Sequence, residues 1–445
     1  QYLMADMIVD GVAYPSVGVK FKGNSSYNNS SRKKSFKIDL NEYVSGQDIN
    51  GLKKFNLNNG FKDPSFLREK MACDFYFEHG LDAPRCTYAK VYLNGVYWGL
   101  YNFIEEVDTK QFLNRHYLYH DGNIFKGDPT GDLRYINSQP STYYTKYELH
   151  NNDSINDWSD LVELITKINN SGANFRDSLE SILNTETFID QWAALNLFVN
   201  LDSYLGSGHN YFIYHDTNLD KFEWIGWDLN ESFGTFRMNL SSTALKNLSL
   251  FYVPSPANSR PLINNMQSDP VYRQLLIDKA CEWIQYDFSN AALDRKVDSI
   301  ANVIRPFVYA DTNKFYSNQN FETNLFNDVT VQGGSVIFGI KSFIAERRNS
   351  LMAELAPLGC FISKTDFALE TDQLSIFPNP AHSVLTISMK GNSQLNRIII
   401  YNSIGEIVLQ KSVESEEIEV DCSMLSAGLY LVSLNDKDKK RLVIE

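Results

Sequence analysis

The stretch from Asn200 to Gly234, NLDSYLGSGHNYFIYHDTNLDKFEWIGWDLNESFG, constrains the fold more than any other part of the chain. YFIY (Tyr211 to Tyr214) alternates as a half-buried strand should, and the polar turn His215 to Lys221 leads into a second run, FEWIGW (Phe222 to Trp227). Together they predict a β-hairpin. Upstream, TETFIDQWAALNLFVN has a cap signal at Thr185 and places Phe188, Ile189, Trp192, Leu195 and Val199 at helical spacing. The predicted order is helix, polar loop with Asp202 and Asn210, hairpin, Asp228. An Asp after a helix is often only a cap or turn residue, and one before a turn often only serves the local backbone.

The chain's 445 residues predict two or three domains. With 25 Tyr and 28 Phe, a large core is easily built. Lys plus Arg number 41 against 54 Asp plus Glu, a net charge of −13, which argues against a general nucleic-acid binder but not against a local phosphate pocket. The five cysteines (Cys73, Cys86, Cys281, Cys360, Cys422) are scattered and lack metal-ligand spacing. They leave room for one or two disulfides of unassigned pairing. No apolar run approaches the length of a membrane span. With no initiating Met and no signal peptide, the chain is expected to be a mature or trimmed product that has lost upstream sequence.

From residue 1 to about 108 the pattern is mostly strand, with an Asn94-Gly95 turn between two aromatic runs. One helix interrupts it: Asp63-Pro64 supplies the start, Leu67, Met71 and Phe75 the inner stripe, and Gly80 the stop. A mixed region follows to about 182, with a strand in GNIFKGD and an amphipathic helix in DWSDLVELITKIN. Beyond Gly234 the chain reads as helical to about 356, broken by a disordered-looking patch near 254–261. PVYRQLLIDKACEWI and IKSFIAERRNSLMAEL are its clearest helices. From about 366 to 445, seven short strands at regular spacing predict a small β-sandwich.

Helix, Asp, Asn, hairpin, Asp is the order in which protein kinases place a catalytic base and two metal ligands around ATP, and a sheet with one inserted helix matches a kinase N-lobe. GVKFKGNSS, KKSFKIDL, DPSFLREKMACDF, HGLDAPRCTYAKVYLNGVYWGLYNFIEEVD, GNIFKGD, HNYFIY and WIGWDLNESFG, in that order, resemble the spore coat protein H (CotH) kinase family. The tail, through IFPNPAHSVLTI, IIIYNSIGEIV, VDCSMLSAGLYLVSL and KRLVIE, resembles the type A sorting domain of type IX secretion in Bacteroidota. The resemblance implies an α+β, atypical protein-kinase-like two-lobed domain (N-lobe 1–108, C-lobe 109–360) followed by the sorting sandwich (366–445). It also implies a secreted or cell-surface kinase that moves the ATP γ-phosphoryl group to protein Ser or Thr with Mg2+ or Mn2+.

Carried over by position, Asp228 bridges metal and phosphates, Asn210 is a second metal ligand, and Asp202 orients or deprotonates the acceptor hydroxyl. Lys37 is the candidate lysine for the phosphates, against Lys22, Lys33 and Lys34. Gly23, Asn24, Ser25 and Ser26 would form the loop over the phosphates. Arg68 would reach a phosphate or a carboxylate, and Glu69 or Glu78 would pair with the lysine. Glu105 and Glu106 fall at the adenine-binding hinge, where backbone groups make the contacts, so their side chains are expected to be solvated. His209 is expected to bond locally, and Trp227 and Phe233 to pack. The implied partners are an acceptor protein and the type IX machinery, with no nucleic acid and no membrane span. Two other readings stay open: a surface binding or adhesion module without kinase activity, and AMP transfer with the nucleotide reversed.

Overall fold

Residues 3–105 alternate apolar and polar side chains along strands separated by turn residues, and they build an antiparallel sheet. β1 (Leu3–Val9), β2 (Val12–Lys22), β3 (Ser35–Asp39), β4 (Lys54–Asn58), β5 (Cys86–Leu93) and β6 (Val96–Glu105) lie in the order β1-β2-β3-β4-β6-β5. Asn94 and Gly95, at φ 51° and 79°, supply the left-handed pair that a tight hairpin turn needs. Irregular register at Ala5/Met7 and Val91/Tyr92 adds twist, and the sheet curls into a half-barrel.

Strand alternation sorts this sheet's side chains. Val17, Phe36, Ile38, Phe55, Leu57 and Tyr101 fall on one face and form their own core. Register pairs Lys22 with Ser35, Lys37 with Asn56 and Asn58 with Asn102 on the other face. That second face is polar along β2 to β4. Along β5 and β6 it turns apolar, and α1 (Arg68–Glu78) packs there. The helix starts later than its Asp63-Pro64 signal suggests. Residues 63–67 form a turn in which Asp63 accepts from the backbone N–H of Ser65 (3.1 Å) and of Arg68 (2.9 Å), so the carboxylate still serves the helix start.

The chain continues through α2 (Lys110–His116), β7 (Ile124–Gly127), β8 (Tyr147–Leu149), α3 (Ser159–Asn170), α4 (Phe175–Glu180) and α5 (Thr185–Leu197). The α5 cap is Asn184 rather than Thr185, its side chain accepting from the Thr187 N–H. The expected hairpin forms as β9 (Tyr211–Asp216) and β10 (Lys221–Gly226) and joins β7 and β8 in a sheet of order β10-β9-β7-β8. Its inner side is aromatic, with Tyr211 stacked on Trp224 at 4.2 Å between ring centres.

There follow α6 (Ser242–Lys246), α7 (Pro261–Ser268), α8 (Pro270–Gln285), α9 (Asn290–Ala310), α10 (Asn318–Phe326), the short β11 (Val329–Thr330) and β12 (Val336–Ile337), and α11 (Ile340–Leu355). A disulfide, Cys281–Cys360, ties α8 to the end of α11. The patch at 254–261 is not disordered: it holds a 3-10 turn (Ala257–Ser259), and Arg260 is buried.

This computed structural model describes residues 1–331, 333–360, 374–389, 395–402, 406–415, 417–434 and 438–444. It divides into two units, Gln1–Ile362 and Ser363–Glu445. The second is all β: β13 (Leu374–Phe377), β14 (Val384–Met389), β15 (Leu395–Tyr401), β16 (Ile407–Ser415), β17 (Glu417–Asp421), β18 (Gly428–Leu434) and β19 (Asp438–Ile444). Two sheets, β13-β14-β17 and β16-β15-β18-β19, share a core that includes Ile376, Leu385, Ile387, Ile400, Val432 and Leu442. The boundary expected near residue 366 lies outside the described residues. Among the described residues no helix is long and apolar enough to cross a membrane.

Candidate functional site

At the end of β10 the chain turns through Asp228, whose φ of 52° lies in the left-handed region. Asp and Asn enter this region more readily than other side chains. Asp228 lines a cavity of about 40 Å3 together with Glu69 of α1, Lys22 and Gly23 at the end of β2, and Asn58 and Asn102 of the sheet's polar face. That volume suits a cation or a water molecule and is far too small for a nucleotide.

Two carboxylates meet at this cavity. Glu69 is 2 % exposed, and its pKa is pushed up to about 7, first by burial and then by the charge of Asp228. It accepts hydrogen bonds from Asn58 Nδ2 (2.8 Å) and Asn102 Nδ2 (3.3 Å). Asp228 is raised too, by burial, with Lys22 pulling the other way. The Lys22 ammonium lies 5.5 Å from the centre of the Trp227 ring. Asn102 Oδ1 is buried without a hydrogen-bond partner. Two buried carboxylates with raised pKa values and an unpaired amide oxygen form a hard-oxygen set that fits a divalent cation. Among the described residues no group of three or more His, Cys, Asp and Glu could hold a metal. Mg2+ is commonly held by one or two carboxylates, with substrate oxygens and water completing its shell, so this set remains adequate.

The raised Glu69 has a thermodynamic consequence. Between its ordinary value of 4.5 and about 7 the folded protein binds more protons than the unfolded chain, so this group's contribution to stability falls as pH rises through that window. Glu69→Gln is expected to stabilise the metal-free protein at pH 8 by on the order of 1–3 kcal/mol and to change little at pH 4.5. Thermal melts in EDTA at the two pH values check this; equal shifts at both would contradict it.

The loop after α5 supplies the neighbouring group. Asp202 Oδ1 lies 2.7 Å from His209 Nε2, and Asn210 Nδ2 donates to the Asp202 backbone O (2.8 Å) and Oδ2 (3.2 Å). The His209 pKa is raised: burial pulls it down, and the Asp202 carboxylate more than offsets that. Asp202 also contributes to the field that raises Asp228. Arg260 shapes the loop from behind, with Nε donating to Tyr204 O (2.8 Å) and Nη2 to Gly206 O. Gly206 and Gly208 are needed for this close approach. A Cβ on Gly206 would fall 2.0 Å from Leu201 O, and one on Gly208 would fall 2.7 Å from Arg260 Nη2.

The remaining expected residues divide. Gly23, at φ 90°, and Ser26 line the cavity, whereas Asn24 and Ser25 are exposed and do not. Lys37 shares the sheet face with Lys22, but its ammonium pairs with Glu106 at 3.0 Å and it does not line the cavity. Lys33 is buried against Asp311, and Lys34 donates to Tyr27 O and Asn29 O. Lys22 is therefore the lysine beside Asp228. Arg68 reaches a carboxylate: fully buried, it bonds Asp63 (2.7 Å), Ser65, Asn324, Thr235 and the Phe338 carbonyl, which leaves its donors occupied by the fold. The expectation that Glu105 and Glu106 are solvated fails. Both are 2 % exposed, because Arg85 and Arg115 enclose Glu105 while Lys37 and Asn56 enclose Glu106. Glu78 pairs with Lys296 at the surface.

A family model described as CotH kinase protein matches residues 19–351, and one described as secretion system C-terminal sorting domain matches residues 375–445. The chain belongs to the CotH kinase protein family. The inner spore coat protein H of Bacillus subtilis is 25 % identical over 300 residues, 65 % of this chain and 78 % of that protein. Two invasins of Rhizopus delemar, CotH3 and CotH2, are 22 % and 23 % identical over 72 % and 70 % of this chain. The chain spans just over half of their length, 57 % and 56 %. In this CotH protein the C-terminal type IX sorting domain marks the chain for export, secreted or held at the cell surface, and implies engagement with the secretion machinery.

Proposed function

We propose that this CotH protein is an ATP-dependent protein kinase of atypical, two-lobed form, with 1–108 as N-lobe and 109–360 as C-lobe. The observation that carries the reading is the meeting of Asp228 and Glu69 at one small cavity beside the Asp202–Asn210 pair. Asp228 would hold a divalent cation, Mg2+ or Mn2+, with Glu69 and Asn102 Oδ1 completing the oxygen set of the cavity. Asn210, on the neighbouring loop, would be the second metal ligand expected from the family. When bound, that cation would supply charge neutralisation for the transferring γ-phosphoryl group. Lys22, rather than the Lys37 expected from the sequence, would meet a phosphate oxygen, and Gly23 would let the backbone approach one. Asp202, held in orientation by His209 and Asn210, would accept the proton of an acceptor Ser or Thr hydroxyl. Nucleotide entry requires the cavity to widen, a lobe motion of the kind that gates many kinases. Transfer of labelled phosphate from ATP to added protein, lost in Asp228→Asn, tests the reading.

The tightness of the 40 Å3 cavity favours one competing reading, a surface binding module that keeps the fold without the chemistry. A folded wild type that binds no nucleotide with any metal would support it.

The unit from about residue 366 onward is proposed to act as the type IX sorting sandwich of a Bacteroidota protein. Deleting residues 363–445 is expected to leave phosphate transfer within about twofold of the full chain while export is lost. A truncated protein that is still secreted would overturn this role.

A further inference from the structure

The chain has five cysteines, of which Cys281 and Cys360 are bonded. Two of the others sit together, not scattered as their sequence positions suggest. Cys86 opens β5, and strand alternation turns it toward the sheet face on which α1 packs, in line with Ile104 of β6. Cys73 lies in the middle of α1 on the side buried against that face. Both side chains belong to the same core cluster, 2 % and 8 % exposed, where α1 packs on β5, and each thiol influences the other's titration, so the two are neighbours. Both are free thiols in this structure, and Cys86 Sγ donates to Thr87 O. Between them the chain finishes α1, turns at Gly80 (φ 69°) and runs straight into β5, so the two elements are already docked.

The sorting domain marks this protein for export, so its thiols leave the reducing cytosol. We propose that Cys73 and Cys86 form a second disulfide in the exported protein, pinning α1 to β5. The oxidant is a disulfide of the outer compartment, from a protein or a small molecule. One cysteine thiolate attacks it, forming a mixed disulfide and releasing the oxidant's first thiol. The second cysteine thiolate then attacks the mixed disulfide, closing Cys73–Cys86 and releasing the second thiol. Two protons and two electrons leave the protein, and the oxidant's disulfide takes them up as two thiol groups. The bond forms while the chain is folding. Once the core has closed, both thiols are held above their usual range. For Cys73 the neighbouring Cys86 favours the thiolate, and burial together with the charges of Glu69 and Asp74 outweighs it; for Cys86 burial leads and Cys73 adds to it.

The position gives the bond a role at the candidate site. Glu69 lies four residues before Cys73, one helical turn away on the same side of α1, and faces Asp228 across the cavity. Fixing Cys73 to β5 fixes the helical turn that carries Glu69.

Peptide mapping tests the proposal directly, because trypsin cuts at Lys70, Arg85 and Lys90 and separates the two cysteines. The full chain, folded from denaturant in a glutathione–glutathione disulfide buffer, is denatured without reductant, alkylated and digested. The expected product is peptide 71–85 linked to peptide 86–90, with Cys422 alkylated and the link lost after reduction. Full alkylation of both Cys73 and Cys86, or a bond from either to another cysteine, overturns the proposal. The Cys86→Ala variant, carried through the same protocol, should show Cys73 fully alkylated. Finding Cys73 unalkylated there would mean that the wild-type protection has another cause, which also overturns it.

Discussion

Asp228→Asn is expected to lower phosphate transfer by at least about a thousandfold while leaving the protein folded. A metal-bound carboxylate supplies several kcal/mol of charge stabilisation to a phosphoryl-transfer transition state, and each ~1.4 kcal/mol is a factor of ten. Asn keeps the size of the side chain and removes the charge. Because burial already raises the Asp228 pKa, removing that charge should not weaken the fold. Thermal unfolding separates binding from chemistry. ATP with Mg2+ at about 100 times its dissociation constant should stabilise the wild type by about 2.7 kcal/mol, and the variant should show almost none of this. A variant that keeps both the shift and the transfer would remove Asp228 from the site.

Asp311→Ala is expected to be the most destabilising single change in the first unit, by about 3–5 kcal/mol. Lys33 and Asp311 are both fully buried, with Nζ 2.6 Å from Oδ2, and the same oxygen accepts from the Leu100 N–H at 3.1 Å. The Lys33 ammonium also donates to Leu100 O and lies 4.8 Å from the rings of Phe66 and Tyr101. Without Asp311 the lysine must stay charged in an apolar cage or lose its proton. Burial already lowers its pKa to about 8. Lys33→Met combined with Asp311→Asn should recover much of the loss, since it replaces the buried charges with a neutral pair. Denaturant melts of the single and double variants decide it. A loss below about 1 kcal/mol for Asp311→Ala would show that the pair is hydrated and unimportant.

Much of the fold was legible because its signals are local. The Asn94-Gly95 turn, the 211–226 hairpin, α8, α11 and the strands of the second unit each announce themselves within a dozen residues. Asp228 and the Asp202–Asn210 pair stood out for the same reason. The rest of the site depends on register. Asn58 and Asn102 are opposed only because β4 pairs with β6, skipping the intervening β5. In the sequence they leave little trace, because the amides of KFNLN alternate with Phe55 and Leu57 and read as an ordinary solvated strand face. The choice of Lys22 over Lys37 turned on Glu106, which the sequence suggests is solvated and which is in fact enclosed. Lys33 and Asp311 are separated by most of the first unit, and no spacing rule connects them.

The grip of Arg260 on the loop after α5 bears on how this protein can change over time. Arg260 holds Tyr204 and Gly206 through carbonyl oxygens, groups that every amino acid carries. Selection on that grip is therefore blind to most side chains in the loop. The loop's half-buried side chains are tied to the carboxylate instead: Ser207 Oγ donates to Asp202 Oδ1 (3.3 Å) and Asn210 Nδ2 to Asp202 Oδ2 (3.2 Å), while Arg260, Gly206 and Gly208 are locked by contacts that a larger or shorter residue breaks. A lineage can thus alter the side chains beside Asp202 only by changing what holds that carboxylate.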